Sequence, residues 1–175
     1  MFVTMQESRR QLARIVERFG WSIDDPRVTI LDRSPVDMYI DELIYEVLVR
    51  LQSTGARRVV VDSLNDVMLA SPDSIRLREF LYSFVQRCVQ QDVSAMLTYE
   101  TMELFRMTLL SEVGMSHIAD NVVLLQHYQD GPEIKRALAV LKSRGSQNSN
   151  TIREFKISAS GITLGDAVDL SKFQT

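Results

Sequence analysis

One cysteine, two histidines and one tryptophan are all that 175 residues supply of those types. A single thiol, Cys88, excludes an intrachain disulfide and fits a reducing compartment. With His117 and His127 far apart in sequence and one cysteine unable to build a zinc site, a transition-metal enzyme is not expected. No apolar run approaches the ~20 residues needed to span a bilayer, and the N-terminus carries no signal-peptide pattern. The expectation is a cytoplasmic protein without membrane contact. The net charge is only −3, which gives no global drive toward nucleic acid or acidic lipid, so any anion site must be local. There is no G-x-S-x-G elbow and no obvious base beside a serine, which removes hydrolase triads. The phosphate-cradling pattern G-x-x-x-x-G-K-[ST] is also missing from these residues.

What is there is an ordinary globular composition, 45% hydrophobic and 25% charged, at a length suited to one domain with a proper core. The organising stretch is Arg57-Arg58-Val59-Val60-Val61-Asp62-Ser63-Leu64. Three consecutive valines before a carboxylate predict a strand buried on both faces of a parallel sheet. Gly55 ahead of it is a helix stop. Asp62 then falls at the carboxyl end of a central strand, where open α/β sheets place their ligand crevice. The plainer role for such a residue is to turn the chain or cap a loop.

Taken in order, the pattern alternates. Met1 to Met5 predicts a strand, and Ser8-Arg9-Arg10-Gln11 a capping box opening a helix through Leu12, Ile15, Val16 and Phe19. Val28 to Leu31 predicts a short strand, ended by Ser34-Pro35. Ile40, Leu43, Ile44, Val47, Leu48 and Leu51 form one apolar stripe over a 41–54 helix. Leu77, Phe80, Leu81, Phe84, Val85, Cys88 and Val89 form another over 75–91, with Cys88 as core filler. Val93 to Thr98 is the next strand. Such spacings predict βαβ crossovers and one mainly parallel sheet of 1–5, 28–31, 58–62, 93–98 and 121–126, with helices on its faces. Residues 101–118 lack periodicity and predict a loop with a helical turn or two, part of it over the crevice. From Asn121 the chain turns β-rich. Asp130-Gly131 signals a hairpin between Val122–Tyr128 and Ile134–Lys142, followed by strands at Thr151–Ile157 and Ile162–Leu164. No linker or repeat divides residues 1–165, and 166–175 are expected to be a fraying tail.

Three clusters carry chemistry. Gln6-Glu7 ends the first strand at the same sheet edge as Asp62, where a carboxylate could polarise a water for attack on a phosphoryl group. Glu7 equally suits the positive end of the following helix. Thr98-Tyr99-Glu100 ends the strand after Asp62, which makes Thr98 and Glu100 candidates for sensing the bound group. Lys142 and Arg144 alternate onto one side of a strand end before Gly145, a pairing suited to phosphate oxygens or a neighbouring subunit's anion site. A solvated edge strand, protected by lysine from stray pairing, has the same appearance.

In this order the pieces resemble the KaiC-type ATPase domains of the RecA superfamily. The likeness runs through Phe2 to Leu12, Phe19-Gly20-Trp21, Ser34-Pro35-Val36, Asp41-Glu42-Leu43 and Asp62-Ser63-Leu64. It continues through Ala119-Asp120-Asn121-Val122-Val123-Leu124-Leu125, Lys142-Ser143-Arg144-Gly145-Ser146, Ile152-Arg153-Glu154-Phe155 and Gly161-Ile162-Thr163-Leu164-Gly165. It implies a RecA-like parallel sheet with a C-terminal antiparallel hairpin, ATP and Mg²⁺ as ligands, and ring hexamers holding nucleotide between subunits. Carried over by position, Asp62 becomes the Walker B aspartate for Mg²⁺, bound through water. Gln6 and Glu7 take the places of paired catalytic glutamates, and Lys142 and Arg144 those of cations reaching the next subunit's triphosphate. Gln6 departs from the pattern and cannot act as a base. Asn148 stands where histidine is frequent. By this likeness the family's first strand, phosphate loop and following helix would precede these residues, making the chain a truncation or a natural remnant.

Two functions besides a nucleotide half-site follow from the same residues. One is a non-catalytic module that assembles with intact KaiC-like subunits and regulates them. The other is a recombinase-like binder of single-stranded nucleic acid, against which the acidic balance and the lack of a basic-aromatic stripe both count.

Overall fold

The computed structural model describes residues 1–34, 36, 39–70, 73–100, 117–147, 149 and 151–169. The loop expected over 101–118 lies outside these residues as far as 116, and so do Asn148 and residues 170–175. The chain divides into two compact units, Met1–Met115 and Ser116–Thr175.

The first unit carries β1 (Phe2–Thr4), α1 (Arg9–Glu17), β2 (Ile30–Asp32), α2 (Ile40–Thr54), β3 (Arg58–Asp62), α3 (Leu64–Ala70), α4 (Ser74–Gln90) and β4 (Ser94–Leu97). Its sheet is four-stranded in the order β2-β1-β3-β4, and every pairing is parallel. The helices begin and end where local chemistry says they should. Ser8 opens α1 with a complete capping box, its hydroxyl accepting from the Gln11 N–H while the Gln11 side chain accepts from the Ser8 N–H. Asp73 caps α4 by accepting from the N–H groups of Ile75 and Arg76. Gly55 closes α2 at φ 65°, a left-handed conformation that a side chain would strain, and donates its N–H to the Leu51 carbonyl.

One face of the sheet holds the core. Val3 and Val61 from the strands meet Leu43 and Val47 of α2, Leu64 and Val67 of α3, and Leu81 and Phe84 of α4 around a void of about 20 Å³. Burying apolar side chains of this size stabilises the fold by about 1.5–3 kcal/mol each. The other face is less covered than the three valines suggested. Val60 is only half-buried, its register partner Met96 is 63% exposed, and α1 buries none of its residues. Strand β3 therefore has one dry face rather than two.

The second unit is an antiparallel sheet in the order β5-β6-β7-β8, formed by β5 (Asn121–Asp130), β6 (Glu133–Ser143), β7 (Arg153–Ser158) and β8 (Gly161–Ala167). Gly131-Pro132 is a two-residue loop with Gly131 at φ 60°, the sign a tight hairpin turn needs at its first position. The sheet membership expected for 121–126 is corrected here. Those residues belong to β5, which pairs with β6 and with no strand of the parallel sheet among the described residues. A hairpin partner two residues away satisfies the backbone groups of β5 at little cost in chain entropy, whereas a parallel pairing demands a long crossover. Strand β8 runs through Ala167, past the start of the expected tail.

No helix among the described residues is long and apolar enough to cross a membrane.

Candidate functional site at the carboxyl edge of the parallel sheet

Parallel strands deliver their last residues to a common edge, and the register shows which ones. Thr4 of β1 is aligned with Asp32 of β2 on one side and with Asp62 of β3 on the other. Thr98 follows β4 directly and joins the row through two backbone bonds, donating its N–H to Val61 and accepting from the Leu64 N–H. Two carboxylates and two hydroxyls thus line one edge. Backbone bonds close it further, from the Met5 N–H to the Asp62 carbonyl and from the Arg33 N–H to the Thr4 carbonyl.

The expected site residues of the first unit converge there. The Thr98 hydroxyl donates to Asp62 Oδ1 at 2.5 Å, which aims the carboxylate and leaves Oδ2 without a protein donor among the described residues. Glu7 sits three residues beyond the end of β1. Its N–H donates to Thr4 Oγ1 and its Oε2 accepts the same hydroxyl, both at 3.2 Å. Thr4 is fully buried, so it anchors Glu7 to the rigid centre of the sheet. Gln6, beside it, points its amide elsewhere, donating to Asp66 Oδ1 and Oδ2 at 3.1 and 3.2 Å. Glu100 enters through its backbone. Its N–H donates to Asn65 Oδ1 and its carbonyl accepts from Asn65 Nδ2, while the residue itself is exposed.

Four contributors carry no mark in the sequence pattern: Thr4, Asp32, Asn65 and Asp66. Asp66 is 4% exposed and also accepts from the N–H and hydroxyl of Ser63, the latter at 2.8 Å. The Ser63-to-Asp66 spacing is a capping pattern and is the signal in the sequence for helix α3, which the apolar periodicity alone does not predict. The Asp62–Ser63 peptide ahead of this cap is cis.

The second unit holds the two cations. Lys142, near the end of β6, donates its ammonium to the Ala119 carbonyl at 2.8 Å. Arg144, in the turn beyond, pairs with Asp120 Oδ1 at 2.9 Å and remains 60% exposed. Both side chains are turned onto the short segment that leads into β5.

The oxygen-only edge has a definite chemical preference. Among the described residues no group of three or more histidine, cysteine, aspartate or glutamate side chains forms a metal cage. Mg²⁺ needs no such cage, because it keeps several waters and takes one or two carboxylates together with substrate phosphates. Asp62, with one oxygen held by Thr98 and the other open, fits that demand.

Comparison with known proteins agrees in extent and in kind. Residues 1–168 match the family model described as "ATPase: KaiC". The circadian clock protein KaiC3 of Synechocystis sp. is 28% identical over 166 residues, covering 91% of this chain and 32% of that protein. The circadian clock oscillator protein KaiC of Synechococcus elongatus is 28% identical over 177 aligned positions, covering 94% of this chain and 34% of that protein. The chain spans about a third of the length of these curated relatives. An α/β architecture with a parallel sheet, an acidic edge at its carboxyl end and a match along nearly the whole sequence lead to one assignment: the chain belongs to the KaiC family of ATPase domains.

Proposed function

We propose that this chain supplies the Mg²⁺-facing half of an ATP site and assembles with copies of itself or with intact KaiC-like subunits, of which only the intact subunits complete the site. The observation that carries the reading is the row Asp32-Thr4-Asp62-Thr98 with Glu7 anchored beside it. In this reading Asp62 would hold Mg²⁺, and Thr98 keeps its carboxylate aimed. Glu7 orients the attacking water and accepts its proton. Bound Mg·ATP would contribute the electrophilic phosphorus and the charge neutralisation around it. Arg144 commits one N–H to Asp120, and its guanidinium has further donors for a phosphate on an adjoining subunit. Lys142 acts with it.

The 175 residues contain no phosphate loop, and this decides what the chain does alone. Phosphoryl transfer relies on positioning and charge stabilisation, and neither Asp62 nor Glu7 fixes a triphosphate. The purified chain should release no phosphate from ATP above an Asp62→Ala control. Robust turnover that disappears in that control would overturn the half-site reading. In mixed assemblies with an intact KaiC-type ATPase, Lys142→Ala with Arg144→Ala should lower turnover per intact site by about tenfold or more, since in-trans cations are worth about 10³–10⁵ in related NTPases. Unchanged turnover in verified mixed rings would reduce the pair to its internal contacts.

Gln6, which cannot act as a base, favours a second reading, the non-catalytic module that regulates intact relatives. The Asp62→Ala variant separates the two. A half-site loses its Mg²⁺-dependent effect on the assembly, and a regulatory module keeps it.

A further inference from the structure

Position 6 and position 66 are the two places at this edge where the chemistry runs against a simple acidic cluster. Asp66 is a carboxylate with 4% exposure, and among the described residues its partners are Gln6 and Ser63. An ionised carboxylate accepts and never donates, so Gln6 must present its NH₂ group and not its carbonyl. The amide reaches both carboxylate oxygens from the loop after β1, while Ser63 reaches Oδ2 from the end of β3. The side chain of one α3 residue therefore ties together the ends of the two central strands, immediately beside Glu7 and Asp62.

We infer that Gln6 and Asp66 form a neutral–anionic strut in which both are positioning residues, and that the edge is built to hold one water-orienting carboxylate, Glu7, and to reject a second at position 6. The strut stands on the geometry of the first unit. Only its consequence for a reacting water rests on the nucleotide reading proposed above.

The argument is electrostatic. Nearly all the other titratable groups at this edge are acidic: Glu7 next to position 6, Asp62 at the end of β3 and Asp32 at the end of β2. Arg9 approaches Asp32 through its backbone N–H and places its guanidinium on Asp24. No cation pairs with Asp66 among the described residues. A glutamate in place of the exposed Gln6 would set its carboxylate about 3 Å from that of the buried Asp66, an arrangement in which the two share one proton. The folded protein would then bind more protons than the unfolded chain above the ordinary carboxyl range, so its stability must fall as pH rises.

The test compares the wild-type chain with Gln6→Glu, Asp66→Asn and the double variant by urea unfolding from pH 5 to pH 8. Each pH unit over which the extra proton is retained costs tenfold in the folding constant. Gln6→Glu should therefore lose about tenfold or more between pH 5 and pH 8 relative to wild type, and Asp66→Asn in the Gln6→Glu background should remove that slope. The positional readout is hydrogen exchange at the Glu7 N–H, which is bonded to Thr4. Exchange should accelerate in Gln6→Ala, which severs the strut without adding charge, and stay near wild type in the double variant, where a carboxylate at 6 meets an amide at 66. A Gln6→Glu variant as pH-independent as wild type, or a slope that Asp66→Asn leaves in place, would overturn the strut. Unaltered Glu7 exchange in Gln6→Ala would overturn its positioning role. None of these measurements requires ATP turnover, so their failure is separate from failure of the nucleotide reading.

Discussion

A buried titratable residue is informative even where it has no chemistry to perform. Cys88 lies on the inner face of α4 with 1% of its surface exposed, and burial pushes its thiol up to about 11. At pH 8 the thiolate fraction is then about one part in a thousand, and thiolate is the reacting form. Folded protein should resist a thiol reagent such as dithionitrobenzoate at pH 8, and one equivalent should react promptly once urea unfolds it. Fast labelling of the folded chain would mean that α4 opens locally. Asp62 and Glu7 are the opposite case. They are held by hydroxyls that are themselves fixed, Thr98 after β4 and Thr4 within β1, so the edge is pre-organised by neutral donors rather than by counter-charges.

Helix α2 shows how an element is secured on its solvent side. Its inner stripe is buried, and on its outer side Glu46 sits between two arginines. Burial pushes the Glu46 carboxyl up, but hydrogen bonds from Arg33 and from Arg50, one turn along the helix, together hold it below the ordinary glutamate range. A carboxyl depressed in the folded state adds stability that is complete above its unfolded value and lost as pH falls through its folded value. Glu46→Gln should therefore flatten the acid limb of the stability profile below about pH 5 and leave the profile above pH 6 parallel to wild type. An acid limb identical to wild type would show that the two arginines are satisfied by solvent. The same helix pairs Asp41 with Arg76 of α4, an exposed contact that adds little to stability.

At the scale of the molecule, surfaces left open matter most. Among the described residues β4 has β3 as its sole ladder partner, so its outer edge offers unpaired backbone groups next to the exposed Met96. In the second unit Val123, Leu125, Ile134, Ile157, Ile162 and Leu164 share one sheet face by register, and each is half or more exposed. Open edges and apolar faces of this kind recruit other chains. The isolated chain should increase in apparent mass with concentration on size exclusion. Met96→Lys at the edge, or Leu125→Lys on the face, should shift it toward monomer. A concentration-independent monomer with slow hydrogen exchange along Ser94–Leu97 would contradict this.

Much of this was readable from the residues in order. The apolar stripe from Ile40 to Leu51 dictates a helix because a period of three and four can bury only one side. Ser8 with Gln11, and Gly55 after Thr54, set helix ends through bonds that span a few residues. Asp62 at the end of β3 was equally local, since strand direction alone carries it to the carboxyl edge. Tertiary structure decided what depends on residues far apart in sequence. Gln6 finds Asp66 sixty residues away, and Thr98 finds Asp62 thirty-six away, because β1, β3 and β4 lie side by side. Strand type at Asn121–Asp130 was legible, whereas its sheet was not. Alternation specifies which side chains share a face, and only the competition between a near hairpin and a distant crossover specifies the partner.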